Sequence, residues 1–464
     1  MEKNGKQQIG IVGLGTMGWA ITHTLVRNNF IVTAFEPMSP EALLPPIGTN
    51  QAPDLHSLVA SLEPPRKILL MITAGSGVDE IISQLTCYLE KGDIIIDGGN
   101  SHYSDTERRM SALKSAGLGY IGAGISGGEE GARLGASIMV GGTKKCFKSV
   151  RQTLEAIAAA DDKKKYCKHF GPGGVGHFIK MVHNGIEYGI LQAIGEAYLL
   201  LNQGLRLSNV ECASVFDSWQ RGPLNSYLIG ITADILKKEE ELGGLLIEFI
   251  DDSADQSGTG RWMVTEAMAL GVPVPCISEA VSVRSLSRNR KARKDIAKLE
   301  WETCTNLDSN LDEIHSSLLA TFWCCLAQGF SVLSTGNKVH GWPNKEAEIA
   351  QVWQQGCIIR SNLLNDIYQS YIKNPDLNHL FSCQDIHTCL VKELGGLRNV
   401  VSSAIRSGLP VPAMASAINY TDALKTERLW TALIQAQRDY FGAHTYRRTD
   451  REGSFHTHWA EGSG

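Results

Sequence analysis

The sequence predicts an α/β domain at the N-terminal end of the chain, followed by a large all-α domain and a C-terminal tail. The first part alternates short apolar runs, glycine-rich turns and segments of helical length. This alternation is typical of a parallel sheet whose strands are joined by helical crossovers. After residue 175 the chain continues in long amphipathic segments with few strand patterns, which indicates a helical domain.

Five apolar runs are predicted strands, and four of them are followed by glycine-rich turns. The strands are 9–12, 31–35, 68–72, 94–96 and 119–124, and the helices between them include 17–28, 78–89 and 103–115. In a parallel sheet the carboxyl ends of the strands meet at one edge, where ligands bind. We therefore expect the glycine-rich turns to border a binding site.

The chain divides into an α/β domain over residues 1–175, a helical domain over 176–430 and a tail over 431–464. The predicted helices of the second domain are 176–202, 208–218, 259–270, 276–298, 316–333, 346–374 and 390–406. From about Trp430 the helical pattern fades into a polar and aromatic segment. We expect that tail to be either disordered or packed on another subunit.

The composition predicts a globular protein without a nucleic-acid or membrane partner. Hydrophobic residues make up 43% of the 464 residues, and 44 basic against 49 acidic residues leave a formal net charge of −5. No basic run exceeds Lys163-Lys164-Lys165, and no stretch approaches the ~18 apolar residues of a membrane span. The polar N-terminus runs directly into the first strand, unlike a signal peptide. Eleven cysteines without a Cys-x-x-Cys pair predict reduced thiols and a cytoplasmic location.

The motif Gly13-Leu14-Gly15-Thr16-Met17-Gly18 follows the first strand and opens the first helix. This is the context of a dinucleotide-binding fingerprint, in which a tight turn brings the N–H groups of the helix start to the pyrophosphate. Together with the neighbouring strand tip at Ile72, Thr73 and Ala74, it predicts a Rossmann-type domain that binds NAD or NADP. The alternative interpretation is a glycine-rich turn that binds no ligand.

Glu36 ends the second strand, about 20 residues after the fingerprint. A carboxylate at this place accepts hydrogen bonds from the ribose hydroxyls of NAD and repels the 2′-phosphate of NADP. Pro37 and Met38 follow, and no nearby lysine or arginine attracts that phosphate. The sequence therefore predicts NAD, with NADP as the second choice. The alternative is that Glu36 is a solvated loop carboxylate.

Lys180, His183, Asn184, Glu187 and Tyr188 recur at the spacing i, i+3, i+4, i+7, i+8. On an α-helix these side chains fall within an arc of roughly 140°, which an apolar stripe ordinarily occupies. The opposite face is apolar. A solvated helix face is one explanation of the pattern. We favour a polar wall of a cleft, because histidine and asparagine add little to a merely soluble face.

The sequence resembles 6-phosphogluconate dehydrogenase in motifs that span both domains and the tail. They are DIIIDGGNS at 93–101, GISGGEEGAR at 124–133, GHFIKMVHNGIEY at 176–188 and QAQRDYFGAHTY at 435–446. The related short β-hydroxyacid dehydrogenases are similar only in the first domain and the lysine helix. The chain is therefore identified as a member of the 6-phosphogluconate dehydrogenase family.

The resemblance implies an oxidative decarboxylation without a metal ion. In that family's mechanism Lys180 takes the proton of the 3-hydroxyl while a hydride leaves C3, and the β-keto acid then loses CO2. Glu187 protonates C1 of the enediol, which gives a ketopentose. A lysine base at neutral pH needs the lowered pKa that burial provides. Asn100 and His183 complete the implied catalytic set.

The resemblance also implies which groups hold the sugar acid in a homodimer. The carboxylate and hydroxyls would be held by Asn100, Ser126, Gly127, Gly128, His183 and Asn184, and the distal anion by Tyr188, Ser257, Thr259, Arg284 and Arg438. Asn100 would also contact the nicotinamide. Arg438 and His444 would come from the second subunit, because the family's tail inserts into its partner's cleft. The simpler interpretation of Arg284 and Arg438 is that they are surface cations.

The chain departs from the family pattern at three places. Glu36-Pro37-Met38 stands where the family commonly has Asn-Arg-Thr, which argues against NADP. Ser257 stands where lysine is common, and Thr73 also replaces a frequent lysine. Losing a cation weakens a dianion site more than a monoanion site, so 6-deoxy-6-sulfogluconate is an alternative substrate.

The expected reaction is the oxidation of 6-phosphogluconate to ribulose 5-phosphate. The alternative function is that of a non-catalytic dinucleotide sensor.

Overall fold

The structure is a computed structural model that describes residues 7–37, 44–301 and 306–459. The chain forms two compact units, Met1–Ala417 and Ile418–Gly464. In the described part of the first unit, one sheet contains β1 (Gln8–Val12), β2 (Ile31–Phe35), β3 (Asn50–Gln51), β4 (Lys67–Leu70), β5 (Ile94–Asp97), β6 (Gly119–Ser126), β7 (Ser137–Gly142) and β8 (Cys167–Gly171). The helices joining these strands are α1 (Thr16–Arg27), α2 (Leu55–Ala60), α3 (Ser76–Thr86), α4 (Tyr103–Ser115), α5 (Gly128–Leu134) and α6 (Lys144–Ala156).

The strand order is β3-β2-β1-β4-β5-β6-β7-β8, and the neighbouring strands are parallel except for β6 and β7. The order reverses between β1 and β4, which creates the point at which α/β sheets bind their ligands. The predicted α/β class is therefore confirmed.

Both faces of the sheet are buried, because helices cover each of them, and alternate side chains of a strand point to opposite faces. Ile94 and Ile96 belong to the core shared with α1, α5 and α6. Ile95 belongs to the core shared with α2, α3 and α4. This burial explains why the strands read as continuous apolar runs.

The prediction missed β3, β7 and β8, and β7 makes the sheet mixed. The chain between β6 and β7 contains the seven-residue helix α5 and little else. A parallel return needs a crossover of roughly a dozen or more residues, so this short connection turns the chain back antiparallel.

The helical domain is built around two long helices, α7 (Val175–Leu199) and α13 (Leu311–His340), which pack on each other. The other described helices after α7 are α8 (Asn209–Trp219), α9 (Tyr227–Lys237), α10 (Thr259–Ala269), α11 (Pro275–Ser287), α12 (Arg290–Ile296), α14 (Glu346–Val352), α15 (Leu363–Lys373), α16 (Gln384–Arg406), α17 (Pro412–Leu424) and α18 (Thr431–Gly442). Short π or 3₁₀ turns lie at Leu200–Gly204, Leu246–Glu248 and Leu380–Ser382.

Two predicted helices are each broken in two. The segment 276–298 ends its first helix before Asn289, whose ψ of 52° is not helical, and α12 begins at the next residue. The segment 346–374 is interrupted between α14 and α15, where Gly356 has a φ of +70°. Helical periodicity alone did not reveal either break. Helices α9 and α17 were not predicted.

The prediction that the helical pattern fades from about Trp430 was wrong, because α18 lies directly after that residue. Asp439 is the one buried residue of α18, whereas its apolar Leu433 and Ile434 are exposed. The helix therefore has no apolar stripe buried within its own unit, and such a stripe is the signal by which sequence patterns reveal helices.

Among the described residues, α13 is the one helix that is long and apolar enough to cross a membrane by length and composition. Within the structure, 83% of its most apolar window is buried. The central helix of a folded core passes the same test, and α13 packs on α7 and α16.

Candidate active site

The fingerprint turn joins β1 to α1 in a conformation that requires glycine. Gly13 has a φ of +99°, which side-chain-bearing residues rarely adopt. A Cβ on Gly18 would lie 2.0 Å from the carbonyl oxygen of Gly13, so α1 can pack on the turn because residue 18 has no side chain. Gly15, at the N-cap, has no side chain to bond the first N–H groups of α1. This geometry fits the pyrophosphate of a dinucleotide.

Glu36 lies beside that turn at the end of β2. Its Oε2 accepts a hydrogen bond from the backbone N–H of Leu14, and the residue is half-buried. This contact places the carboxylate at the fingerprint turn. Pro37 follows it, and Met38 lies outside the described residues.

The tip of β4 borders the same turn. The backbone N–H of Met71 donates to the carbonyl of Val12 over 2.8 Å, which aligns the ends of β4 and β1. Ile72 and Ala74 are half-buried and Thr73 is exposed. Within the fingerprint, Leu14 is buried, Met17 is half-buried and Thr16 is exposed.

Asn100 is an exposed residue in the turn after β5, and a buried network holds that turn. Asp97 accepts hydrogen bonds from the hydroxyls of Ser101 (2.7 Å) and Tyr120 (2.8 Å). Arg109 of α4 donates to the Ser101 hydroxyl over 3.0 Å and to Asp97 over 3.4 Å. Arg109 has no local signal in the sequence, because its contact with the turn depends on how α4 packs on the sheet.

Helix α7 carries its polar side chains into the interior. Lys180, His183, Asn184 and Tyr188 are each at most 7% exposed, and the side chain of Glu187 is 22% exposed. The interpretation of this stripe as a solvated helix face is therefore wrong. The stripe forms a buried polar wall.

A glycine on β6 allows α7 to approach the sheet. A Cβ on Gly124 would lie 2.5 Å from the Cβ of Lys180 and 2.8 Å from the carbonyl oxygen of Gly176. Because that Cβ is absent, the helix backbone lies against the strand, and Lys180 is placed near its carboxyl end.

A chain of polar contacts joins the end of β6 to the start of α10. Ser126 Oγ lies 3.0 Å from Nε2 of His183, and Nδ1 of His183 lies 3.1 Å from Oδ1 of Asn184. Asn184 Nδ2 donates to Thr259 Oγ1 over 3.1 Å, and that oxygen lies 3.4 Å from Ser257 Oγ. Five of the predicted substrate residues are thus brought together from three parts of the chain. Gly127 and Gly128 directly follow Ser126.

Arg284 stacks on Tyr188 beside these groups. The guanidinium carbon of Arg284 lies 3.5 Å from the centre of the Tyr188 ring, and Nη1 donates to the carbonyl of Asp255 over 3.3 Å. A half-buried guanidinium stacked on an aromatic ring is held as a fixed cation rather than as a mobile surface charge.

The surroundings move the pKa values of the acid and base candidates in opposite directions. Burial lowers the pKa of Lys180, although Glu187 and Cys357 act against this change. Burial raises the pKa of Glu187, although Lys180 and Arg284 act against it. Burial and the charge of Lys180 hold the pKa of His183 well below its usual value, so its imidazole is neutral.

The loop between α14 and α15 reaches this site, and sequence reasoning missed it. The backbone N–H of Ile358 donates to Ser126 Oγ over 3.4 Å. Burial raises the pKa of the Cys357 thiol to about 12, and its Sγ donates to the carbonyl of Trp353 over 2.9 Å. No local pattern points to this loop. It reaches the site through the contact between Ile358 and Ser126, which are more than 200 positions apart in the chain.

Arg438 and His444 belong to the second unit, and both are exposed within it. Arg438 lies on α18, and His444 lies just beyond the end of that helix. Among the described residues, no group of three or more His, Cys, Asp or Glu side chains is arranged to hold a metal ion.

Two family models cover nearly the whole chain. The NAD binding domain of 6-phosphogluconate dehydrogenase matches residues 8–171, and the 6-phosphogluconate dehydrogenase C-terminal domain matches residues 176–459. The chain belongs to the 6-phosphogluconate dehydrogenase family. The predicted resemblance and the Rossmann-type fold are thereby confirmed.

A relative named as NADP-dependent and a relative named as NAD-dependent are almost equally similar to this chain. The NADP(+)-dependent, decarboxylating 6-phosphogluconate dehydrogenase of Bacillus subtilis is 44% identical over 465 residues, with 98% of this chain and 99% of the relative covered. The NAD(+)-dependent, decarboxylating enzyme of the same organism is 42% identical over 464 residues, with the same coverage. Overall identity therefore does not choose between the two cofactors.

The fold also matches the solved 6-phosphogluconate dehydrogenase of Plasmodium falciparum with a TM-score of 0.90. The two sequences are 34% identical, and the match covers 97% of this chain and 100% of the other. That enzyme was solved in its apo form, with NADP+ and with 6-phosphogluconate.

Proposed function

We propose that this chain oxidatively decarboxylates 6-phospho-D-gluconate to D-ribulose 5-phosphate and CO2, with reduction of NAD+. The observation that carries this proposal is the pair of buried Lys180 and half-buried Glu187, whose pKa values are moved in opposite directions on one face of α7. Such a pair supplies a base and an acid in one site. A dinucleotide sensor has no need of both, so we favour the enzyme over the sensor.

The fingerprint turn and the first N–H groups of α1 would hold the pyrophosphate, and Asn100 would face the nicotinamide. When bound, the cofactor accepts a hydride from C3 of the sugar acid. Ser126, Gly127, Gly128, His183 and Asn184 would bind the carboxylate and hydroxyls. The neutral imidazole of His183 can accept one hydrogen bond and donate another.

Lys180 and Glu187 would move the two protons of the reaction. Neutral Lys180 takes the proton of the 3-hydroxyl as the hydride leaves C3. The resulting β-keto acid loses CO2, with the Lys180 ammonium donating to the ketone oxygen. Protonated Glu187 then delivers a proton to C1 of the enediol, while Lys180, neutral again after donating to the ketone oxygen, takes the proton of the hydroxyl at C2 and the ketone forms. The β-keto group accepts the electron pair released with CO2, so the step requires no metal ion.

The direct test is to mix the purified protein with 6-phosphogluconate and either NAD+ or NADP+ and to follow the absorbance of the reduced nicotinamide. Release of CO2 and formation of ribulose 5-phosphate are measured in the same reactions. We expect both products in equal amounts with the reduced cofactor. Absence of turnover with both cofactors would favour the sensor.

The preference for NAD rests on the position of Glu36 at the fingerprint turn. We expect kcat/KM to be higher with NAD, because the carboxylate binds the ribose hydroxyls and repels a 2′-phosphate. Glu36→Asn combined with Pro37→Arg should shift this ratio toward NADP by about 10- to 1000-fold, the range that a charged hydrogen bond and a like-charge repulsion supply together. The ratio of kcat/KM values measures it. A wild-type enzyme faster with NADP would show that Glu36 has another role.

The distal anion would be held by the hydroxyls of Tyr188, Ser257 and Thr259 and by the cations Arg284 and Arg438. Two guanidiniums neutralise a phosphate dianion, so we expect 6-phosphogluconate to exceed 6-deoxy-6-sulfogluconate in a competition at equal concentrations. Ser257→Lys should raise kcat/KM for the phosphate by about tenfold, since it adds a cation. A tenfold advantage of the sulfonate in the wild type would instead make Ser257 a determinant of sulfonate specificity.

The remaining parts of the proposal concern assembly and location. We infer a cytoplasmic homodimer in which the tail, with Arg438 and His444, enters the partner's cleft. The exposed Leu433, Ile434 and Phe441 support a protein partner for α18 and the residues after it. The ten described cysteines are free thiols, which fits a reducing compartment. The division into domains 1–175 and 176–430 and a tail 431–464 stays a prediction.

A further inference from the structure

Asp439 is a fully buried carboxylate in the small second unit, between the exposed residues Arg438 and Tyr440. Its Oδ1 accepts hydrogen bonds from the backbone N–H of Thr445 and from Nδ1 of His456, both over 2.9 Å. Its Oδ2 accepts from the backbone N–H of Thr457 over 3.0 Å and from Trp459 Nε1 over 2.8 Å. The two oxygens therefore bind four donors from the chain that follows α18.

The segment around His444 has a strained backbone. Ala443 and Thr445 have φ values of +49° and +58°, in the left-handed region that residues with side chains seldom occupy. Such residues persist where surrounding contacts hold them. The bond from the Thr445 N–H to Asp439 is one such contact, so the carboxylate fixes the turn that contains His444.

Gln435 extends this arrangement to Arg438. Its Oε1 accepts a hydrogen bond from Nη1 of Arg438 over 3.0 Å, and its Nε2 donates to the carbonyl of Thr445 over 2.6 Å. Arg438 and the His444 turn are thus joined through the Gln435 amide, and the carboxylate of Asp439, the residue after Arg438, holds the same turn at Thr445.

The negative charge of Asp439 strengthens the hydrogen bonds that fix the turn containing His444. Burial would raise the pKa of its carboxyl, but hydrogen bonds from His456, Thr457 and Trp459 outweigh burial and lower the pKa to about 2. The group is therefore an anion throughout the neutral range, and an ionised carboxylate makes stronger hydrogen bonds than a neutral acceptor.

We propose that Asp439 is a positioning residue for the anion end of the substrate, which holds Arg438 and His444 in the arrangement that binds the sugar phosphate. This inference rests on the proposed function, in which these two side chains contact 6-phosphogluconate. Asp439 itself contacts no substrate and acts through its two neighbours.

The test is Asp439→Asn, which keeps the shape but replaces one acceptor oxygen by an amide that cannot accept from its two donors. We expect KM for 6-phosphogluconate to rise by about tenfold or more, with kcat and KM for NAD changed by less than about twofold, since only the binding of the anion is disturbed. A role limited to folding would lower kcat through the loss of active protein and leave KM unchanged. Asp450→Asn is the matched control, because exposed Asp450 pairs only with Arg448 among the contacts described for it and should leave both parameters unchanged.

A second variant covers the case in which Asp439→Asn does not fold. Gln435→Ala removes the bridge between Arg438 and Thr445 but leaves the carboxylate and its four donors in place. We expect the same rise in KM for 6-phosphogluconate, smaller than that of Asp439→Asn. An unchanged KM in a folded Gln435→Ala enzyme would contradict the positioning role.

A double-mutant cycle separates failure of this inference from failure of the proposed function. If Asp439 acts through its neighbours, Asp439→Asn should have little further effect on KM in the Arg438→Ala/His444→Ala background. A full additional effect there would overturn the inference. If Arg438→Ala/His444→Ala leaves KM for 6-phosphogluconate unchanged, the tail does not bind substrate and this inference fails, whereas the proposed function stands. Absence of turnover in the wild type would instead overturn the proposed function.

Discussion

Lys180→Met should reduce kcat with 6-phosphogluconate by at least about 10³-fold, which is within the range that a positioned general base contributes. Methionine preserves most of the volume of the side chain but cannot accept the proton of the 3-hydroxyl. The same substitution also removes the ammonium that donates to the ketone oxygen during loss of CO2. Both chemical steps therefore lose the same group.

Cofactor binding should survive this substitution, because Lys180 lies on α7 and would act on the sugar, whereas the fingerprint turn joins β1 to α1. Fluorescence or calorimetric titration with NAD should give a Kd within about threefold of the wild-type value. Lys148→Met, at an exposed position on α6, is the matched control and should keep full activity. A Lys180→Met enzyme that kept more than a few per cent of the wild-type rate would remove Lys180 from the role of base.

Glu187→Gln should lower kcat by about 10²- to 10⁴-fold, because an amide cannot donate the proton that C1 of the enediol requires. The volume and position of the side chain are preserved, so we expect KM for NAD to stay near the wild-type value. The matched control is Glu129→Gln, which lies at an exposed position near the start of α5. An unchanged rate and product in Glu187→Gln would show that another group protonates C1.

The pH profile gives this variant a second readout. The active form has neutral Lys180 and protonated Glu187, so the pair carries one proton and the wild-type rate should fall on both sides of an optimum. Activity is lost at low pH when Lys180 is protonated and at high pH when Glu187 loses its proton. In Glu187→Gln a neutral amide replaces a carboxyl that is itself protonated at the pH of the acid limb, so that limb should stay near its wild-type position. The limb due to Glu187 should disappear.

Much of this site could be predicted from the sequence because local chemistry determines it. The fingerprint needs glycine at Gly13, where the turn has a positive φ, and at Gly18, where α1 approaches the turn closely. The motif could therefore be recognised in the sequence. The spacing of Lys180, His183 and Glu187 on α7 follows from helical geometry alone. Apolar runs revealed the central strands, since these are buried on both faces.

Other features could not be predicted, because they depend on contacts between distant parts of the chain. The antiparallel strand β7 follows from a connection too short for a crossover. Helix α18 buries a carboxylate instead of an apolar stripe, and the contact of Ile358 with Ser126 joins the loop between α14 and α15 to the end of β6. The direction of β7, the burial of Asp439 in α18 and the contact of Ile358 with Ser126 have no periodic or compositional signal within a short window.

The sequence by itself determined the fold class, the family and the types of side chain that meet at the site. Only the tertiary structure decided the direction in which their pKa values move, because a pKa depends on burial and on the charges that packing brings near. The same Lys180 on a solvated face would be an ammonium ion. Packed against Gly124 of β6 and removed from water, it has a lowered pKa that fits a base.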